Sequence, residues 1–399
     1  LGQTAEPEEG AHPQSGLGEF FVLPVFACAG LMWMASANHL VSIFVALETV
    51  TITFYVMVAY LRRNVGSLEA GVKYLILGAL STAFLVYGMA WLYGMTGSME
   101  LPVIKERLAQ QGINETGALF AFALILMAMA FKVGAVPFHN WIPDVYQGAA
   151  TPITAFLSVA SKAAGFIVFM RIVSAFMASE FFVGKVTMII AILAVLTLIV
   201  GNLVALPQKN FKRLLAYSSV AHAGFLLMAM ACAPRESLAG ETMQVSTVVT
   251  FYLGAYLLMT LLAFLVMSAV RSQVSGETLS SYAGLAKRSP FLAVAMVVAM
   301  ASLAGIPLTA GFFGKLFVFK LAFEQQQWLL LAAGMIGACA GFYYYLKIAA
   351  SMFMGDFEAQ EDGSSAIRVS PVSAITMVVL MVAIVLVGLN PSLLMRLVS

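Results

Sequence analysis

Apolar runs of about 18 or more residues recur from Phe20 to Met395, each long enough to cross a hydrocarbon core of about 30 Å as a helix. With 61% hydrophobic and 10% charged residues, the composition departs from the roughly 25% charge of soluble domains and excludes a soluble enzyme. The period-2 alternation of an outer-membrane barrel is missing from Phe20 to Ser36 and from Ala374 to Gly388. A net charge of +2 gives no basic footprint for nucleic acid. Cys28, Cys232 and Cys339 lie in apolar runs without metal-ligand spacing and read as small core residues. The expected fold is an all-α polytopic membrane protein.

Polar punctuation divides the chain into about eleven spans, near 19–38, 40–61, 68–96, 116–148, 151–178, 183–206, 213–233, 243–270, 289–324, 328–353 and 371–395. The segments 116–148 and 289–324 are too long for one straight crossing, and Gly134 with Pro137 and Gly305 with Pro307 predict a break in each. Residues 1–18 read as a polar leader with Glu6, Glu8 and Glu9 and no basic residue, unlike a signal peptide. Because the chain starts at Leu1, a fragment or processed product, with helices preceding Phe20, is expected. Alternating the loops places Arg62, Arg63, Lys209, Lys212, Arg213, Arg271, Lys287, Arg288 and Arg368 on one side. Lys105, Arg107, Lys185, Arg235 and Arg396 fall on the other, so the positive-inside rule predicts a cytoplasmic start and an external C-terminus.

A shift of roughly 170 residues lays the break at Pro137 over that at Pro307 and brings Glu48 near His222. Five spans, an odd number, separate the equivalents, so the second copy enters from the opposite face. The expected organisation is two inverted five-helix repeats, 19–178 with its break near 134–138 and 183–353 with its break near 305–311. A flanking helix at 371–395 follows.

Four charges sit where a membrane disfavours them. Glu48 is deep in its span, Lys132 lies just before the first break, Lys162 is mid-span on the next helix, and Lys315 follows the second break. Each central lysine costs about 2.5–3.5 kcal/mol to insert, so packing alone does not account for three. A carboxylate near one of several desolvated ammonium groups makes a set that titrates together, the chemistry of a proton relay. Moving a charge against 100 mV takes about 2.3 kcal/mol, comparable with the difference between paired and unpaired states of such groups. His222, His139 and Lys73 are secondary candidates for the path, the histidines because imidazole relays protons near neutral pH. Lys320 and Lys347 are placed at the interface, where a lysine stem snorkels. No metal set, phosphate loop, flavin fingerprint or iron–sulfur ligand pattern occurs in the sequence, so no metal and no redox cofactor are expected in this chain.

The blocks FKVGAVPFHNWIPDVYQGAATPITAFLSVASK at 131–162, KNFKRLLAYSSVAHAGF at 209–225 and SLAGIPLTAGFFGKLFVF at 302–319 resemble the antiporter-like membrane subunits of respiratory complex I. That family is shared with Mrp-type antiporters and membrane-bound hydrogenases, and the resemblance covers 19–395. GFFGK at 311–315 resembles the N-type (subunit 2) members, where M-type members tend to place a glutamate at the position of Lys315. The resemblance implies a Glu48–Lys132 charged pair, Lys162 as the connecting residue and Lys315 in the second half-channel, with His222 on the counterpart of the Glu48 helix. It also implies a proton-translocating subunit of NADH:quinone oxidoreductase in the bacterial inner membrane, part of the respiratory electron-transport chain. FMN, iron–sulfur clusters and quinone would be held by other subunits, and M-type, K-type and J-type subunits and lipid would surround this one. Bacterial N subunits usually have fourteen helices, so the resemblance begins at the fourth. The alternative is an Mrp-type cation/proton antiporter subunit, which would need a sodium site where only one deep carboxylate, Glu48, is available.

Overall fold

The computed structural model describes residues 17–110, 112–232, 244–274, 276–354 and 367–398. Residues 1–16 of the expected leader and Arg235 lie outside these, and residues 17 and 18 already belong to the first helix. Among the described residues the chain forms seventeen α-helices and no strand. In order they are α1 (Leu17–Ser36), α2 (Leu40–Val58), α3 (Val65–Thr96), α4 (Leu101–Leu108), α5 (Glu115–Val133) and α6 (Trp141–Gly148). Then come α7 (Thr151–Phe156), α8 (Lys162–Phe176), α9 (Glu180–Ala205), α10 (Phe211–Ala231), α11 (Val245–Arg271) and α12 (Leu285–Arg288). The last five are α13 (Pro290–Ala304), α14 (Ala310–Glu324), α15 (Trp328–Met354), α16 (Pro371–Leu389) and α17 (Ser392–Val398). Among the described residues ten stretches are long and apolar enough to cross a membrane, with α7 and α8 joined through the π turn Leu157–Ser161 into one. The expected eleventh is divided between α13 and α14, neither of which spans alone.

Side-chain caps fix several starts: Asn64, Asn114, Asn210 and Ser370 each accept the N–H of the third residue on. Both breaks fall where the glycines predict. Gly134 (φ +80°) ends α5 and Gly305 (φ +86°) ends α13, each in the left-handed region that glycine enters without strain. The next residue closes the same turn in both, Ala135 N–H donating to Ala130 O (2.8 Å) and Ile306 N–H to Ala301 O (2.9 Å). In apolar surroundings the freed backbone groups need partners. At the first break Val136 N–H donates to Thr197 Oγ1 (3.0 Å) and Trp141 Nε1–H to Phe131 O (3.0 Å). At the second, Gly311 N–H donates to Ser302 Oγ (3.1 Å), and the carbonyls of Leu303 and Ala304 take the Lys315 ammonium.

By internal packing the described chain forms two compact units, residues 17–197 and 198–398, dividing within α9. In the first, α3 packs along α5 and α6 while α1 packs on α2. In the second, α11 packs against α13, α14 and α16. α10 is buried along nearly its whole length, whereas α1, α3 and α16 keep apolar faces exposed, the pattern of helices solvated by lipid or neighbouring subunits. Cys28 and Cys339 are exposed on such faces and only Cys232 is buried, which corrects the reading of all three as core. Apolar runs look alike whether they face lipid or protein.

One local arrangement recurs in both units. Leu40 N–H donates to Met99 O and Leu101 N–H to Asn38 O at the start of α2. Phe211 N–H donates to Glu277 O and Leu279 N–H to Lys209 O at the start of α10. Leu40 and Phe211 are 171 positions apart.

Candidate functional site

In the first unit Lys132 occupies the last turn of α5 and is buried. Its Nζ donates to Thr51 Oγ1 (3.3 Å), and Thr51 Oγ1 donates to Leu47 O (2.6 Å), one turn back on α2. Glu48 is half-buried on the flank of α2, less enclosed than its depth in the sequence implies, and its Oε1 accepts from Thr82 Oγ1 on α3 (2.7 Å). Thr51, Thr82 and Lys132 line one small cavity together with Tyr74, Ser81 and Phe131. Its volume is about what one water needs. Carboxylate and ammonium are thus each held by a threonine hydroxyl of their own, and both threonines line the same cavity.

Lys162, also buried, begins α8 directly after the π turn. Gly165 lies one turn on, on the same face. The stem of Lys132 rests against that glycine, where an added Cβ would stand 3.3 Å from Lys132 Cγ. The structure thus brings Lys132 to the face of α8 that carries Lys162. Lys73 is placed differently. Its side chain is 44% exposed and pairs with Glu69 (2.7 Å) and Asp144 (2.8 Å), an interfacial cluster. His139 is buried in the turn of the first break and hydrogen-bonds the backbone of Pro137.

In the second unit Lys315 is buried and donates to Leu303 O (2.9 Å) and Ala304 O (2.8 Å). The ammonium thereby occupies the C-terminal, electronegative end of α13. The Phe225 ring centroid is 5.3 Å from its Nζ. His222, buried on α10, meets Tyr252 OH with Nδ1 (2.8 Å) and Tyr345 OH with Nε2 (3.2 Å). Tyr345 OH also bonds Ser218 Oγ, and Tyr344 donates to Asn202 Oδ1 (3.2 Å). At the same spacing of 171 residues, His222 falls on Thr51, the hydroxyl that receives Lys132. The equivalent of Glu48 is Ser219, one turn away, a refinement that a shift of roughly 170 could not resolve.

Lys212 was placed among loop charges by the sequence, and the structure corrects this. It lies in the first turn of α10, 1% exposed, with Nζ 3.1 Å from Glu277 Oε1. Arg271 pairs with the same carboxylate, and Asn210 Nδ2 donates to its Oε2 (3.1 Å). The tyrosines were also missed, because an aromatic residue in an apolar helix reads as packing until its hydroxyl is seen to have a partner. Among the described residues no three His, Cys, Asp or Glu side chains converge as a metal site.

A family model described as NADH:quinone oxidoreductase/Mrp antiporter, TM, matches residues 37–341, which include the three motif blocks. The chain belongs to this family. NADH-quinone oxidoreductase subunit N of Desulforamulus reducens is 39% identical over 374 residues, covering 94% of this chain and 75% of the relative. A chain of respiratory complex I from Thermus thermophilus with bound aureothin aligns with a TM-score of 0.78 at 35% identity. That alignment covers 96% of this chain and 81% of the other. A chain of the Mrp complex from Dietzia sp. DQ12-45-1b aligns with a TM-score of 0.81 at 23% identity, over 94% and 76% of the two chains, and shows the shared fold alone. As a family member the chain is a multi-pass, antiporter-like membrane subunit, and its similarity to subunit N agrees with Lys315 in GFFGK.

Proposed function

We infer that this chain conducts protons as the N-type subunit of a NADH:quinone oxidoreductase and has no redox chemistry of its own. The observation that carries the reading is the burial of Lys132, Lys162 and Lys315 in apolar helices. Lys132 and Lys315 are held by neutral oxygens: a threonine hydroxyl for one, two helix-end carbonyls for the other. An ammonium so held keeps its hydrogen bonds but gains no full countercharge, so its proton affinity responds to charges arriving or leaving nearby. Glu48 on the flank of α2 is the first such charge, and a change in its protonation acts on Lys132 through the field across the cavity that Thr51 and Thr82 line. Lys162 follows as the connecting residue, and Lys315 with His222 serves the second half-channel. Quinone reduction elsewhere in the complex supplies the driving free energy. Moving one proton against 100 mV takes about 2.3 kcal/mol, within reach of one change in pairing of a buried charge.

The inverted repeats are 19–178 and 183–353, with 371–395 flanking. The host membrane is the bacterial cytoplasmic membrane, with the start of this chain cytoplasmic and its C-terminus periplasmic. M-, K- and J-type subunits and lipid are the neighbours that cover the exposed apolar faces. FMN, iron–sulfur clusters and quinone belong to other subunits. An Mrp-type antiporter role is less favoured, since a sodium site calls for several carboxylates or carbonyls and Glu48 stands alone at depth.

The test is NADH-driven proton pumping by the intact host complex in inverted vesicles with Lys132→Met, with quinone reduction assayed in parallel. Both activities are expected to fall strongly in a normally assembled complex. Wild-type levels of both would make the buried charge structural and overturn the relay.

A further inference from the structure

Four polar side chains in the second unit are joined in series, and neither the family assignment nor the lysine relay uses three of them. Tyr252 OH contacts His222 Nδ1, His222 Nε2 contacts Tyr345 OH, and Tyr345 OH contacts Ser218 Oγ. All four residues are buried. Each of the two tyrosines comes from a separate helix, α11 and α15, onto the α10 histidine. Ser218 and His222 are one turn apart on the same face of α10, so the series advances along that helix. Gly314, directly before Lys315, lies against the Tyr252 ring, where an added Cβ would stand 3.1 Å from it. Phe225 stacks on Tyr252 at 6.4 Å and also faces Lys315, so the Tyr252 end of the series lies beside the second-unit lysine.

A neutral imidazole has one donor nitrogen and one acceptor nitrogen, whereas a hydroxyl both donates and accepts. Here both nitrogens meet hydroxyls, so either tautomer satisfies the same heavy-atom geometry. In one, Tyr252 donates to Nδ1, Nε2–H donates to Tyr345, and Tyr345 donates to Ser218; in the other every donation is reversed. We propose that Tyr252, His222, Tyr345 and Ser218 form a proton-carrying series along α10. On this proposal the two tyrosine hydroxyls hand the proton to and from the imidazole. A proton arrives on the Tyr252 oxygen, and the Tyr252 hydroxyl proton moves to Nδ1. The Nε2 proton moves to the Tyr345 oxygen, the Tyr345 proton moves to Ser218, and Ser218 gives its own to a water molecule. The series ends neutral and reversed, and rotation of the hydroxyls and ring resets it. The titratable groups facing His222 and Tyr345 are Tyr252 and Tyr256 from α11, Tyr344 from α15 and, behind Phe225, Lys315 from α14.

This inference rests on the proton-conducting reading, and its test separates the two. The intact host complex carries Tyr345→Phe, Lys315→Met or, at position 345, the near-isosteric 2,3-difluorotyrosine, whose hydroxyl is more acidic. NADH-driven pumping and quinone reduction are followed against pH in inverted vesicles. Tyr345→Phe is expected to lower coupled activity by about a hundredfold, the low end for losing a positioned proton-transfer group. The difluorotyrosine complex is expected to stay active with the alkaline limb of its pH profile displaced toward lower pH. Wild-type pumping in Tyr345→Phe, with Lys315→Met inactive, would overturn the series and leave the lysine relay standing. An unmoved pH profile in the difluorotyrosine complex would reduce Tyr345 to packing, and that arm also decides the matter if the phenylalanine complex does not assemble. Full activity in Lys315→Met would overturn the proton-conducting reading itself.

Discussion

Thr82 and Gly305 show how much of the site depends on single atoms. Thr82 supplies the hydroxyl bonded to Glu48, and a hydrogen bond to a charged group contributes about 1.5–3 kcal/mol. In Thr82→Val, coupled pumping is expected to fall, though less than in Lys132→Met, when the two are compared in the same vesicles. An unchanged rate would make that hydroxyl idle. Gly305 combines a left-handed backbone with close approach of Lys315, where an added Cβ would stand 3.0 Å from Cδ. Gly97, also left-handed at φ +65°, has open space around it. Both alanine substitutions incur about 1–2 kcal/mol of backbone strain, and only Gly305→Ala also displaces the lysine. The melting temperature of the solubilised protein is therefore expected to drop further for Gly305→Ala than for Gly97→Ala. Equal drops would mean that the lysine stem accommodates the methyl group.

Among the elements, the segment after α11 is tied down at several points. Glu277 receives Lys212 and Arg271, its carbonyl accepts from Phe211, and Gln273 exchanges two hydrogen bonds with the backbone of Arg368. Burial pushes the Glu277 carboxyl up, but Lys212 and Arg271 outweigh it and hold the group below the usual carboxylate range. A carboxylate with a depressed folded value binds fewer protons folded than unfolded near its unfolded value. Its stabilisation is thus complete above about pH 4.5 and is lost as pH falls through the folded value. Glu277→Gln is expected to lower the melting temperature at pH 7, because it leaves Lys212 buried without its countercharge, a loss of about 3 kcal/mol or more. The difference from the unsubstituted protein should narrow on acidification, and a difference that stayed constant with pH would remove the ion pair from the account.

For the whole molecule, membrane orientation is the property most open to direct measurement. With Cys28, Cys232 and Cys339 replaced by serine, Arg63→Cys is expected to react with a membrane-impermeant maleimide in inverted vesicles only. Arg107→Cys should react in right-side-out vesicles only. The reverse pattern would invert the assignment of both faces. The all-helical membrane fold and both breaks were legible in the sequence. Run length reports span length, and a glycine close to a proline marks where a helix cannot continue. Lys132, Lys162 and Lys315 were legible for a similar reason, since a charge in the middle of an apolar run is conspicuous wherever it points. The partners were not. Nothing in the spacing of Thr51, Thr82, Tyr252 or Tyr345 marks a side chain that meets a distant helix, and Lys212 near a polar boundary reads as a solvated charge. The sequence alone determined that the chain is a helical membrane protein, where two helices break and that Lys132, Lys162 and Lys315 are buried, because those follow from local length, backbone chemistry and desolvation. Only the tertiary structure decided that Glu48 and Lys132 each meet a threonine hydroxyl, that helix-end carbonyls hold Lys315 and that two tyrosines bracket His222. Hydrogen bonds between helices depend on which faces meet, and an apolar run is the same to either side.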